Sequence, residues 1–218
     1  MTHTKPWREA IERVPLEPAA QAERHLFREL NPNLAQTPIL KGEERPIRQA
    51  AVMIPIIDRP EDPQVLLTVR PQTMPSHAGE ISLPGGGLQS DDDGMIGTAL
   101  RETHEEIGVS PSNISVVGEF GVHFGGRGFA VTPVLGIVDA GATIIPCERE
   151  VEEVFEVPLR FLVDPRNHLV EVREFGGTSY NMYAVPYHDG NRAWHIWGLT
   201  AGILHTLAKA YTCGGLGK

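Results

Sequence analysis

The chain has 218 residues, 41% of them hydrophobic and 22% charged, which suits one domain with its own core and an extra arm. A net charge of -9 without any Lys/Arg cluster argues against a nucleic-acid binder. No apolar run reaches bilayer length and Met1–Glu12 has no apolar signal core, so a cytoplasmic protein with no membrane contact is expected. Cys147 and Cys213 stand far apart and outside any CxxC pair, and read as ordinary thiols rather than a disulfide framework or zinc knuckle.

Residues 1–45 read as a helical arm, with a helix expected over Glu17–Leu30 and ended by Pro32. The main domain is placed at 46–212 and a frayed tail at 213–218. Strands are predicted over Gln49–Ile57, Gln64–Arg70 and Gly79–Leu83, followed by a glycine-rich loop at Pro84–Gly87. A helix is predicted from Met95 to Ile107, stopped by Gly108. Further strands are expected over Ile114–Gly121 and Phe129–Val138, then a short helix at Pro158–Val163. Strands at Leu169–Phe175, Tyr180–Tyr187 and Arg192–Trp197 follow, the last two joined by a hairpin turn at His188–Asn191, and Leu199–Tyr211 closes the chain as a helix. This order implies an α+β fold, an α/β/α sandwich with a mixed sheet between helices.

The segment from Gly87 to Val109 carries the chemistry. At about 100° per residue, Ile96, Ala99, Leu100, Thr103 and Ile107 share one face, and Glu102, Glu105 and Glu106 share another. Like charges four residues apart destabilise a helix by a few tenths of a kcal/mol, and acidic side chains in the last turn oppose its dipole. Such a stripe is either a solvated acidic face or a set of oxygen ligands for a hard cation such as Mg²⁺.

The full pattern is a glycine, five residues, an acidic residue, seven residues, then Arg-Glu-x-x-Glu-Glu-x-Gly and an apolar residue. It resembles the Nudix box, with Gly87, Arg101, Glu102, Glu105, Glu106, Gly108 and Val109 in register. Asp93 stands where glutamate is usual, beside Asp91 and Asp92, so which of the three approaches a metal is open. The resemblance implies the Nudix fold, with the box as a loop–helix–loop over a mixed sheet. It implies Glu102 and Glu106 as principal ligands of Mg²⁺ or Mn²⁺, Glu105 as ligand or base, and Arg101 as the residue that orients a box carboxylate. Gly85, Gly86 and Gly87 would let the backbone approach the metal and substrate.

Upstream, Leu66-Leu67-Thr68-Val69-Arg70, Gly79 and Pro84-Gly85-Gly86 resemble the signature of the coenzyme A diphosphatases in spacing. Pro71, Pro75 and Leu83 depart from it, and Pro75 removes an arginine. Arg70 remains and is either a phosphate-binding fork or a surface arginine at a strand end. His77 reads equally as a site neighbour or a loop histidine. Within Glu150, Glu152 and Glu153, an acidic group from outside the box is expected to add a ligand or base, with Glu153 favoured. Trp194 and Trp197 are suited to stacking on a base, to core packing or to a dimer contact.

The resemblance thus implies a diphosphatase acting on coenzyme A or a derivative, giving 4'-phosphopantetheine and adenosine 3',5'-bisphosphate, and a homodimer. Two alternatives stay open. One is a Nudix pyrophosphatase on another nucleoside-diphosphate derivative, such as ADP-ribose, a dinucleotide or a nucleoside triphosphate. The other is a catalytically silent nucleotide-binding module, against which the intact glutamates argue.

Overall fold

The computed structural model describes residues 5–14, 16, 23–24, 26–34, 47–59, 62–74, 77–125, 128–190 and 192–215. A mixed sheet is built on two long apolar strands, β2 (Arg48–Ile57) and β8 (Phe129–Val138), which run parallel in register from Arg48↔Phe129 to Ile57↔Val138. β8 also pairs antiparallel with β6 (Ile114–Glu119) and β7 (Val122–Gly125), and β7 carries the two-residue β1 (Glu23–Arg24) in parallel. On the other side, β2 pairs with β3 (Gln64–Val69), which is flanked by β4 (Ile81–Ser82) and β9 (Glu153–Pro158).

Period-two alternation sends the side chains of β2 to two different layers. Ala50, Ile54 and Ile56 join Val65, Leu67, Leu135 and Ile137 in the larger core, under the closing helix α5 (Gly198–Gly215) and its Ala201, Ile203, Leu204 and Leu207. Ala51 and Met53 face the other way with Val134, against Ala99 of α3 (Gly94–Ile107). The helices thus cover both faces, as expected, and truncating a fully buried residue such as Ile54 to alanine should cost about 2–5 kcal/mol. The short helix α4 (Leu159–Leu162) follows β9, and β10 (Leu169–Phe175), β11 (Thr178–Asp189) and β12 (Arg192–Trp197) form a separate three-stranded antiparallel sheet.

Several elements differ from expectation. The glycine-rich loop is a strand, β5 (Gly85–Gly87), antiparallel to Ala50–Val52; it approaches so closely that a Cβ on Gly85 would strike the backbone of Ala51 and Val52. The acidic segment after Glu152 is also a strand, with Phe155 and Val157 turned into the core at period two. The Glu17–Leu30 helix is corrected: among the described residues of that range, Leu26–Leu30 is helical (α2), and Glu23–Arg24 are extended against β7. Residues 17–22 lie outside the described ones.

The arm also contributes an unanticipated helix, α1 (Pro6–Glu12), begun by a proline at its first position. Its Ile11 is fully buried in the main core, while Lys5 and Arg8 reach Asp58 at 2.6 and 3.5 Å. Further along, Asn31 and the backbone of Asn181 exchange two hydrogen bonds, of 2.9 and 2.8 Å, which tie the arm to β11 as a strand would. The described part of the arm therefore belongs to the α5 side of the sandwich.

Candidate active site

The predicted helix is present with the expected stop: Gly108 is left-handed (φ 72°) and its N–H closes on the His104 carbonyl. Met95, Ile96, Ala99, Leu100, Thr103 and Ile107 face the sheet, and the acidic stripe runs along the margin of that contact.

Arg101 organises the entry to this helix. Its Nε and Nη2 donate to the two oxygens of Asp92 at 2.7 and 3.0 Å, in a bidentate fork. Its Nη1 donates to Glu102 and Glu105 at 2.8 and 2.9 Å, and Nη2 also reaches the Gly87 carbonyl at 3.1 Å. Asp92 further accepts from the Gln89 N–H and the Thr98 hydroxyl. The Arg101 guanidinium holds the Asp92 carboxyl well below its usual range, and Arg101 is itself raised by that bond. Of the three aspartates, Asp92 is thus committed to locking the loop to the helix, while Asp93 stands at the helix N-cap with no side-chain cap bond.

The glutamates divide. Glu105 is about half exposed and leans on Arg101. Glu102 is 12% exposed and lies against Gly86, where any Cβ would collide with its carboxylate. Burial, in part opposed by Arg101, raises its pKa. Glu106 is only 4% exposed; burial first, and the Glu102 charge second, push its carboxyl up to about 8, against the pull of Arg70 and a hydrogen bond from the Gly85 backbone. Two carboxylates are therefore packed together under a glycine strand with less positive charge than they need.

Arg70, at the end of β3, bears on Glu106 electrostatically. Its Nη2 touches only the weak acceptor Met74 Sδ at 3.1 Å, and its buried Nε has no acceptor among the described residues. A buried donor left unmade costs about 1–3 kcal/mol, which a phosphate oxygen would recover.

The acidic residues outside the box have different surroundings. Glu153 pairs across from Val69 on β9, and its carboxylate meets Arg192 at 2.6 Å. Glu150 is the member whose charge raises both Glu102 and Glu106. The backbone explains it: the Cys147 N–H bonds the Glu106 carbonyl, and the Cys147 carbonyl then caps the Glu150 turn, which straps that turn to the end of α3. Glu152 accepts the Gln72 N–H, and His77, left-handed at φ 57°, pairs with Glu80 at 2.6 Å. Trp194 packs flat on Phe155 in the core, ring centroids 3.8 Å apart, whereas Trp197 is only partly buried. Pro75 lies outside the described residues.

No three His, Cys, Asp or Glu side chains among the described residues are gathered as a ready cation cage. The donor set still fits a hard divalent ion. Glu102 and Glu106 offer only oxygen, in surplus negative charge, beside a glycine cradle, and Mg²⁺ needs few carboxylates because it keeps several waters.

A family model for the NUDIX domain matches residues 47–174, more than half the chain, including Arg70, the glycine strand and α3. The chain belongs to the Nudix family. Among curated Nudix relatives, the uncharacterized Nudix hydrolase NudL of Yersinia pestis (strain Pestoides F) is 38% identical over 163 residues, 74% of this chain and 79% of the relative. The NudL of Yersinia pseudotuberculosis serotype O:1b (strain IP 31758) matches to the same extent. Solved structures with a looser likeness include a MutT/nudix family protein from Enterococcus faecalis, 17% identical with a TM-score of 0.46 over 74% of this chain and 61% of that one. A C. elegans Ap4A hydrolase is also 17% identical, with a TM-score of 0.44 over 52% of this chain and 82% of that one. The protein is a Nudix hydrolase with an α+β Nudix fold. Among the described residues, no helix is long and apolar enough to cross a membrane.

Proposed function

We propose that this Nudix hydrolase cleaves the diphosphate linkage of coenzyme A or a derivative, giving 4'-phosphopantetheine and adenosine 3',5'-bisphosphate. The observation that carries the diphosphate part is the buried Glu102–Glu106 pair under Gly85–Gly86, with the unpartnered Nε of Arg70 bearing on it. The choice of coenzyme A is supported by the LLTVR–Gly79–PGG spacing ahead of the box.

Glu102 and Glu106 would hold Mg²⁺ or Mn²⁺. Such an ion, when bound, neutralises diphosphate charge and makes water more acidic. The chain's own residues do the rest. Arg101 fixes the Glu102 carboxylate through Nη1 while Asp92 fixes Arg101, so the ligand is pre-positioned. Gly86 and Gly87 bring backbone rather than side chains to the diphosphate. Arg70 offers its guanidinium to a non-bridging phosphate oxygen. Glu105 or Glu150 accepts the proton of the attacking water. The water oxygen bonds to one phosphorus, the bridging P–O bond breaks, and each product leaves with one phosphate of the former diphosphate.

The departure at Pro75, where an arginine is usual, favours a second reading: another nucleoside-diphosphate derivative, such as ADP-ribose or a dinucleotide. A panel of coenzyme A, ADP-ribose, dinucleotides and nucleoside triphosphates with Mg²⁺, with products identified by mass spectrometry, separates the two. A kcat/KM for coenzyme A above all others, with the two named products, supports the first; equal or better use of ADP-ribose overturns it.

A further inference from the structure

We infer that the cleft between the main sheet and the β10–β12 sheet receives the nucleobase of the substrate, with Trp197 as its stacking wall. This rests on reading the substrate as a nucleoside diphosphate compound. The cleft has a volume of about 390 Å³, within the size range of small-molecule sites. Val69, Gln72 and Glu152 line it from the main domain, and Arg192, Trp194 and Trp197 from β12.

The two tryptophans differ in what they have left to offer. Both faces of Trp194 are used, one on Phe155 at 3.8 Å and the other under the Arg192 guanidinium, also at 3.8 Å. It is 7% exposed, and its Nε1–H is buried with no acceptor among the described residues. A buried indole N–H normally finds a partner, and this one is sealed inside the fold, so Trp194 serves as packed support behind the cleft wall. Trp197 is partly buried and lines the cleft; Arg173 stands 5.0 Å from its ring centroid and the Phe175 ring lies nearly parallel to it at 6.4 Å, both looser contacts than the two at 3.8 Å on Trp194. Indole and guanidinium planes are the surfaces on which bases stack.

The charge balance selects a base over a phosphate. Arg192 is paired with Glu153 at 2.6 Å, and Arg173 donates to His195 and lies 3.6 Å from Glu171. The cations of the cleft are thus already engaged. What remains is a mixed rim, the Gln72 amide beside the carboxylate of Glu152, which suits a flat ring whose edge carries both donors and acceptors.

The cleft also joins the diphosphate site. Val69, which lines the cleft, ends β3 and immediately precedes Arg70. Gly79, a wall of the cleft, donates its N–H to the Arg70 carbonyl. A nucleotide with its phosphates at Arg70 and its base in the cleft would bend around the end of β3.

Two measurements on the full chain test this. In calorimetric titration with adenosine 5'-monophosphate and no added divalent cation, the wild type should bind saturably and Trp197→Leu should weaken Kd by ~10-fold or more. The ratio of kcat/KM for the preferred nucleoside diphosphate compound to that for a dialkyl diphosphate without a base should fall by a similar factor. Arg173→Ala, a change at a less buried site, should lower both readouts in the same direction and carries the test if Trp197→Leu does not fold. Unchanged Kd and an unchanged ratio in either folded variant would overturn the assignment. A wild type that binds the monophosphate through Trp197 yet hydrolyses no diphosphate would retain the cleft assignment and refute the catalytic reading.

Discussion

Arg101 and Arg70 both bear on the carboxylates of α3, and the protein treats them in opposite ways. Arg101 spends its donors on Asp92, Glu102, Glu105 and the Gly87 carbonyl, so its network is closed within the protein. Among the described residues, the buried Nε of Arg70 has no acceptor and its Nη2 meets the weak acceptor Met74 Sδ. A closed network fixes geometry; an open one stores hydrogen-bonding capacity for something that arrives later. Read together, the box loop and helix form the rigid half of the site, and the end of β3 with the β10–β12 sheet forms its receiving half.

The comparison can be broken most strongly at the rigid half. Glu106→Gln should lower kcat by about 10²–10⁴-fold with folding intact, checked by steady-state kinetics beside circular dichroism. Equal turnover would remove the metal role. Gly86→Ala should cost about 10²-fold, because the new methyl must displace the Glu102 carboxylate; a variant as active as wild type would mean that this carboxylate is free to move. At the receiving half, Arg70→Ala should lower kcat/KM by roughly 10–100-fold, the range for a hydrogen bond to a charged group, with only a small loss of thermal stability, since the unmet Nε is removed together with the pull of Arg70 on Glu106.

The smallest effect lies away from both halves. Burial holds His168 below its ordinary value and His205 down to about 4, where Tyr183 stacks on the His205 ring at 4.2 Å. Both histidines are neutral in the fold and charge more readily when unfolded. Their contribution to stability is therefore complete above the ordinary value of 6.5 and is lost as pH falls toward 4. Melting temperatures measured across that window should fall less steeply for His205→Phe than for the wild type. Parallel curves would show that the histidine is not the cause.

The two halves were also unequally legible in the sequence. The box was readable because its chemistry is local: Arg101, Glu102, Glu105 and Glu106 sit within two turns of one helix, and Gly108 ends it as its type implies. The long strands Arg48–Ile57 and Phe129–Val138 were readable from their apolar runs. Glycine composition hid β5, whose pairing depends on the missing side chains rather than on strand propensity. The surroundings of Glu150 and Glu153 were not legible because they are tertiary: a backbone bond from Cys147 to α3 ties the Glu150 turn to that helix, and Arg192, 39 positions from Glu153, pairs with the other. Asp92 was one of three equivalent letters until Arg101 selected it. The α1 helix was missed because a short polar segment with one buried isoleucine carries almost no periodic signal.

Titration of Mn²⁺ into the purified protein, followed by electron paramagnetic resonance, tests most directly whether the buried pair on α3 exists to hold a divalent ion. Saturable binding by the wild type, abolished in both Glu102→Gln and Glu106→Gln while the fold persists, is the expected result. Binding that is the same in all three proteins, or absent from the wild type, would contradict it.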